Sequence, residues 1–200
     1  MFNLKALKDK VVGFFKKKVK EVIKESTPKI KRNIHERFRA YLENEDFYRS
    51  LREGRLQSEL GLPEGESYQM VDELIDLVID KLDVIYIDDD DGGKIIIDIS
   101  EESIEEIASS VGSIESENGF DVPWAEWLLL YGSKVIITDH RFKYEPGLGR
   151  SQGGIMVKRG TWEVPGEYAG TAQNNVITRA LSNFAEELAS EITVEINRKL

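Results

Sequence analysis

The stretch DVIYIDDDDGGKIIIDI, residues 83–99, marks the point where helical patterning gives way to strand-like patterning. Two runs rich in β-branched residues flank a glycine pair, which predicts a β-hairpin with its turn around Asp90 to Gly93. The segments before it place apolar residues at helical spacing, and the last segment of the chain does so again. The order predicts an α+β fold with a helical N-terminal extension, a small mostly antiparallel sheet and a long C-terminal helix.

The N-terminal part predicts two helices. The first has an apolar stripe on one side and lysines on the other. The apolar stripe consists of Leu4, Leu7, Val11, Phe15, Val19, Val22 and Ile23. Thr27 and Pro28 then match an N-cap and a first helical position, so a second helix is expected to begin there. Its inward residues would be Ile30, Ile34, Phe38, Tyr41 and Leu42.

The rest of the chain predicts further short elements. In order, they are a helix DFYRSLREG closed by Gly54, the stretch LQSELGLPEGES without an assigned element, a helix from Tyr68 to about Leu82, the hairpin, a helix at Glu101 to Val111, the loop SIESENGFDVP, a helix WAEWLLLYG, a strand KVIITDHRFKYE, short strands IMVKRG and TWEV, and a helix from Gln173 onward. We interpret residues 1–60 as a basic helical extension and residues 61–200 as an α+β core domain.

Composition narrows the classes of protein. The 200 residues suffice for one domain with a core of its own. Because the chain contains no cysteine, disulfides and thiolate metal sites are excluded. No apolar run approaches the roughly 20 residues of a membrane span, and the lysine-rich start does not match a secretory signal.

Charge is distributed unevenly along the chain. Residues 1–32 carry eleven basic and three acidic side chains, whereas residues 61–131 carry two basic and twenty acidic ones. Such asymmetry concerns partners more than fold. It suggests either a basic arm that meets anions, or copies of one chain meeting head to tail with the arm on an acidic face.

The segment GLGRSQGGIMVKRGTWEVPGEYAG, residues 147–170, is dense in glycine and carries Arg150, Lys158 and Arg159. It lacks a Walker motif, and its nearest match to GxGxxG misses the spacing and opens a strand. Two interpretations stay open: a flexible loop that orders against a neighbouring protein, and an exposed hairpin loop. We expect a contact between subunits, with the three basic side chains meeting carboxylates.

No site for a cofactor, a metal ion or catalysis is predicted. The acid run Asp88 to Asp91 fits no EF-hand register, which leaves adventitious cation binding or a solvated hairpin tip. His35 and His140 lack a paired metal spacing, and no GxSxG motif accompanies a serine. A carboxylate pair brought together by the fold is the enzymatic alternative that the sequence leaves open.

Two groups of residues are candidates for binding other molecules. Trp124, Trp127 and Trp162 are expected to be core and interface anchors. The basic side chains of the first helix could contact phosphate, lipid headgroups or an acidic protein face, or form a solvated surface. They are Lys16, Lys17, Lys18, Lys20 and Lys24.

Several segments resemble a known group of proteins. They are ELGLP at 59–63, VPWAEWLLLYGSKVIITDHRF at 122–142, GRSQGGIMV at 149–157 and GTWEVPGEYAGTAQNNVITRAL at 160–181. In this order they resemble virion structural proteins of tailed bacteriophages, described as neck or tail-completion proteins. The resemblance covers about residues 55–185 and is most specific at Pro123 to Leu130 and Trp162 to Leu181. NVITRAL is similar to the family signature that opens the terminal helix, but has Ala180 and Thr178 where proline and arginine are frequent.

The resemblance implies a ring-forming component of the head–tail junction, in six or twelve copies, assembled in the host cytoplasm. Its partners would be its own copies and other head-connector and tail proteins, with DNA only passing through a channel and no membrane contact. The family has no catalytic residues to carry over. The alternative function is a nucleic-acid-binding accessory protein that uses the basic N-terminal helix.

This implied function, together with the charges, gives two expected surfaces. Residues for subunit contact are Arg150, Lys158, Arg159, Trp162, Lys16, Lys17, Lys18 and Lys20. Residues whose like charge would keep passing DNA from adhering are Glu101, Glu102, Glu105 and Glu106.

Overall fold

The computed structural model describes the backbone of residues 4–87, 94–115 and 121–199, and the side chains of residues 13, 14, 17, 27–87, 94–115 and 121–190. These residues form two compact units. The first takes in the described parts of Met1–Arg37 and Leu82–Asp98, and the second those of Phe38–Lys81 and Ile99–Leu200. The α+β class is confirmed, with seven helices and three two-stranded antiparallel sheets in the described chain. The boundary near residue 60 stays a prediction.

The first unit combines helix α1, Leu4–Asn44 up to Arg37, with a hairpin of β1, Asp83–Ile87, and β2, Lys94–Asp98. The strands pair antiparallel from Asp83 opposite Asp98 to Ile87 opposite Lys94. His35 donates from Nε2 to the carbonyl oxygen of Leu82 over 3.1 Å. The predicted hairpin is therefore confirmed, while its turn lies outside the described residues.

The expected break at Thr27 and Pro28 is wrong, because α1 continues through Pro28 without interruption. Proline removes one backbone donor and costs about 3 kcal/mol inside a helix. Pro28 is exposed, so water can reach the backbone where that hydrogen bond is missing. Continuing the helix preserves the hydrogen bonds of the neighbouring turns.

The second unit contains six further helices: α2 Asp46–Glu53, α3 Arg55–Leu60, α4 Ser67–Lys81, α5 Glu101–Ser110, α6 Trp124–Leu130 and α7 Val176–Lys199. α3 lies in the stretch of residues 56–67 to which the sequence assigned no element, with Leu56 and Leu60 buried one turn apart. Gly61 ends α3 in the left-handed conformation, at φ 69°.

Two short antiparallel sheets complete the second unit. β3, Ile114–Glu115, pairs with β4, Asp121–Val122, inside a segment predicted to be a loop. β5, Ile137–Tyr144, pairs with β6, Gly154–Trp162. β6 is one strand where two short strands were expected.

The core of the second unit draws on helices from both ends of the chain. The Phe38 and Phe184 rings lie 5.2 Å apart, and Tyr41 meets the same Phe184 ring edge-on. Trp124 is fully buried and donates from Nε1 to the Gly112 carbonyl oxygen over 3.1 Å. Asn175 caps α7, accepting hydrogen bonds at Oδ1 from the backbone amides of Ile177 and Thr178.

Candidate subunit-contact surface

The glycine-dense segment forms the turn and second strand of the β5–β6 ribbon. The register runs from Ile137 opposite Trp162 to Tyr144 opposite Gly154, with an irregularity between Thr138 and His140. Asp139 and Arg159 take positive φ values of 64° and 72°, and Gly160 takes 136°. The irregularity lets the strand continue through Lys158 to Gly160, which the sequence suggested as a strand end.

Backbone hydrogen bonds order the turn between the two strands. Gly147 N donates to Gln152 O over 2.8 Å, Gln152 N to Gly149 O over 3.1 Å, and Gly154 N to Leu148 O over 3.1 Å. Gly149 has φ 73°, and a Cβ there would collide with the Gly154 carbonyl. The glycines here meet demands of conformation and close approach.

The turn is docked on α3 of the same unit. The buried Gln57 side chain donates from Nε2 to Leu62 O over 2.8 Å and to Ser151 O over 3.2 Å. Ser151 Oγ donates to Ser58 O over 3.3 Å. A Cβ on Gly153 would fall 2.6 Å from Ser58 Cβ. One side of the turn is thus fixed within the chain, while residues 146–148 and Gln152 are exposed.

Arg150 is half-buried and takes part in this docking. Its Nε donates to Gly61 O over 2.7 Å, and its Nη1 donates to Glu115 O over 2.6 Å. The guanidinium therefore links the turn, the end of α3 and β3. Its expected contact with a neighbour's carboxylate stays a prediction.

Trp162 anchors the other end of the ribbon. It is buried, donates from Nε1 to Glu59 Oε2 over 2.8 Å, and its ring centroid lies 5.7 Å from that of Trp127. Glu59 also accepts from Arg55 Nε over 2.5 Å. The anchor role expected of Trp162 is confirmed for the core, and a role between subunits stays a prediction.

Exposed cations line the middle of the ribbon. Lys158 and Arg159 are exposed on β6, and Arg141 and Lys143 are exposed on β5. Lys143 forms an ion pair of 2.5 Å with Glu145 at the turn. The ribbon consequently offers a positive surface, with Asp139 as the one acidic residue in its two strands.

Two open clefts flank the junction of α3 with the ribbon. One, of about 750 Å³, has Tyr68 and Tyr144 in its walls, and the Arg52 guanidinium lies 4.1 Å from the Tyr68 ring centroid. The other, of about 580 Å³, is more apolar and includes Trp127, Phe142 and His140. Sequence reasoning missed both clefts, since α3 forms a wall of each; the only signals were Leu56 and Leu60 at helical spacing and the ELGLP segment.

The expected lysines of α1 are described only in part. Lys17 is exposed, whereas the side chains of Lys16, Lys18 and Lys20 lie outside the described residues. Within the described helices, none is long and apolar enough to cross a membrane. The structure therefore brings together Arg150, Lys158, Arg159 and Trp162 on one ribbon, and places Lys17 on a separate unit.

The expected acidic residues lie on the outward side of α5, opposite the buried Ile104 and Ile107. Glu101, Glu102 and Glu105 are exposed, and Glu106 forms an ion pair of 2.6 Å with Lys81. Hydrogen bonds from its own backbone amide and from the Ser100 hydroxyl hold the pKa of Glu102 below its usual range.

The described part of the chain contains no group of three or more His, Cys, Asp or Glu residues that could hold a metal ion. Asp88 to Asp91 lie outside those residues, so the question of a cation there is untouched. No known family, curated protein or solved structure matches the chain. The resemblance to neck proteins stays a prediction.

Proposed function

We propose that this chain is a structural component of a tailed-bacteriophage virion, a neck or tail-completion protein that forms a ring and joins tail to head. One observation carries the proposal. The two stretches with the most specific resemblance, 123–130 and 162–181, are separated in sequence but packed together. Trp127 contacts Trp162 with their rings tilted by 56°, and Gly132 N donates to Gly170 O over 2.7 Å just beyond α6. The two segments on which the resemblance is most specific therefore contact each other within the second unit.

The ribbon supplies a surface suited to subunit contact. Each of its strands pairs with one partner within the described chain, so each has an outer edge whose backbone groups can pair with a neighbour. Lys158 and Arg159 would meet acidic side chains of that neighbour. On this proposal the chain is found in the virion, and its partners are its own copies and other head and tail proteins.

The acidic side of α5 would face passing DNA. Like charge disfavours adhesion to phosphate. The four exposed glutamates of α5 present that charge, although Glu106 is paired with Lys81: Glu101, Glu102, Glu105 and Glu106. A charge map of the assembled ring tests this assignment. A basic lumen lined by other residues would contradict it.

Mass photometry and negative-stain images of the purified chain test ring formation. The variant Lys158→Glu/Arg159→Glu should weaken assembly by about tenfold or more, since charge reversal at a contact is repulsive. A control, Arg49→Glu/Lys134→Glu, makes the same change of charge at exposed sites outside β5 and β6. Equal assembly of both variants would contradict the ribbon contact. Absence of the chain from purified virions would contradict the function itself.

The second candidate, nucleic-acid binding by α1, is favoured by the exposed cations Lys17, Lys29 and Arg32. Replacing the three with glutamine should lower the slope of log affinity against log salt by about 2 to 3 if each meets a phosphate. A gel-shift titration at several salt concentrations measures that slope. An unchanged slope removes this candidate.

A further inference from the structure

The β1–β2 hairpin is apolar on both of its faces. Directly paired residues share a face, and faces alternate along each strand. One face holds Val84, Tyr86, Ile95 and Ile97, and the other holds Ile85, Ile87 and Ile96 between the polar residues Asp83, Asp98 and Lys94.

Within the described residues, only the base of one face is covered. Val84 is 8% exposed, whereas Ile95 on the same face is 42% exposed, and Ile85 and Ile87 on the opposite face are 48% and 39% exposed. A two-stranded hairpin is at best marginally stable in water, and an apolar sheet face is normally packed against another layer. The described residues of the first unit leave the Ile85 face open. We call Ile85, Ile87 and Ile96 the open hairpin face.

We propose that the open hairpin face binds residues 4–26 of α1 from a second copy of this chain. This inference rests on the proposed function, in that it assumes association of the chain with its own copies. The apolar stripe of residues 4–26 favours this segment as the partner of the open hairpin face. Its sequence repeats apolar residues on one stripe, which suits an isoleucine surface, and it is helical in the structure.

Charge complements the apolar match. Residues 4–26 contain eight lysines against three acidic residues, and residues 83–98 contain six aspartates against one lysine. The two segments therefore carry net charges of +5 and −5. Asp83 and Asp98 are exposed at the base of the hairpin, beside the open face. Lysines that flank the helical stripe would lie close to them.

Length also fits. A helix of 23 residues extends for about 35 Å, while a strand of five residues spans about 17 Å. One helix can cover the whole open face with residues to spare. Because helix and hairpin face are different surfaces, each copy donates one and accepts the other. Such a head-to-tail contact closes into a ring when the rotation between copies permits.

The apolar part of the contact is tested with Ile85→Lys/Ile87→Lys in the full chain. Self-association, measured by sedimentation equilibrium and mass photometry, should weaken by about tenfold or more, because two lysines would be buried against an apolar stripe. The control Gln69→Lys/Ser182→Lys adds the same charge at exposed positions of α4 and α7. Circular dichroism and urea unfolding establish that both variants fold.

The charge part is tested by an exchange of charges between two chains. One variant carries Lys16→Glu, Lys20→Glu and Lys24→Glu, and the other carries Asp83→Lys and Asp98→Lys. Each alone should self-associate weakly, because the new glutamates face Asp83 and Asp98 in the first variant, and the helix lysines face two new lysines in the second. An equimolar mixture should regain the mass of the wild-type assembly, with the two variants alternating.

The contact would be overturned by a wild-type chain that stays monomeric, by an Ile85/Ile87 variant that associates as tightly as its control, or by a mixture that regains nothing. Loss of DNA binding in the lysine variant without loss of assembly mass would identify nucleic acid as the helix's partner and would also overturn it. Rings that persist in the hairpin variants reject this contact while leaving the neck function standing. If the mixture regains association but the chain is absent from purified virions, the contact stands and the proposed function is rejected.

Discussion

Gly153 lies against Ser58 with no space for a side chain between them, and this approach holds the turn of the β5–β6 ribbon on α3. The turn and the helix are joined further by Gln57 and Ser151. The glycine at this position is thus needed for packing, since its backbone conformation is an ordinary one.

Gly153→Ala should destabilise the second unit. The added methyl group forces the backbone of the turn or of α3 to shift, which costs about 1 to 3 kcal/mol of unfolding free energy. Urea unfolding measures the change. Gly166→Ala is the matched control, because a Cβ at Gly166 meets no atom within 4 Å. Equal stability of the two variants would contradict the docked turn.

Arg150→Met should also destabilise the second unit. It leaves the carbonyl oxygens of Gly61 and Glu115 without the two donors that now bind them, at a cost of about 1.5 to 3 kcal/mol. Arg49→Met removes an exposed arginine whose ion pair with Asp46 is 3.2 Å long, and should cost less than about 1 kcal/mol. Thermal unfolding followed by circular dichroism compares them. A smaller loss for Arg150 than for Arg49 would refute the linking role.

Asn175→Ala should weaken the start of α7. The substitution removes the acceptor of two backbone amides and the Nδ2 donor that binds Thr171 O over 2.9 Å. Loss of a cap and of a buried hydrogen bond predicts about 2 to 3 kcal/mol. Urea unfolding tests this, with Asn44→Ala as control, since the exposed Asn44 amide donates to one carbonyl only. A loss as small as in the control would show that the cap contributes little.

Tyr48 should make stability depend on alkaline pH. Burial, and after it the hydrogen bond to Asp72, raises the pKa of Tyr48 to about 12. An unfolded tyrosine has a pKa of about 10, so the folded state keeps the proton where the unfolded state loses it. The stabilisation that the Tyr48 hydroxyl contributes is complete below pH 10 and declines as the pH rises to about 12.

The free energy difference between wild type and Tyr48→Phe should therefore shrink with pH. From pH 9 to above pH 12 it should fall by roughly 2 kcal/mol. Urea unfolding at several pH values provides the curve, and tyrosinate absorbance gives the titration of the missing group. Tyr144→Phe, at an exposed ring, controls for loss of a hydroxyl. A constant difference would refute the shifted pKa.

Long periodic segments were predictable from sequence because burial enforces their pattern. The helix from Ser67 to Lys81 buries Val71, Leu74, Ile75 and Val78 as its spacing indicates. Local signals failed where tertiary context overrode them. Thr27 and Pro28 match a helix start, but the exposed proline is tolerated within a continuous helix. The sequence predicts the end of a strand at Lys158 to Gly160, yet β6 continues there, with Arg159 and Gly160 at positive φ.

The contacts around the ribbon could be predicted only in part. The glycine-dense turn and its basic residues stood out in the sequence, but the partner of the turn did not. α3 has six residues, which is too short for a periodic signal. Its Gln57 and Ser58 bind residues more than ninety positions away in the chain, and no local pattern reports such a separation.

The ribbon is held at both ends, at its turn by α3 and at its base by the contact between the Trp127 and Trp162 rings. On the proposed function, the backbone groups at its edges are therefore aligned before a neighbouring subunit binds. A glycine-rich segment that folded only on contact would lose about 1 to 2 kcal/mol of backbone conformational entropy per residue at that moment. A preorganised strand avoids most of this loss. Docking of successive subunits would then proceed at the pace of their encounters, without a slow ordering step.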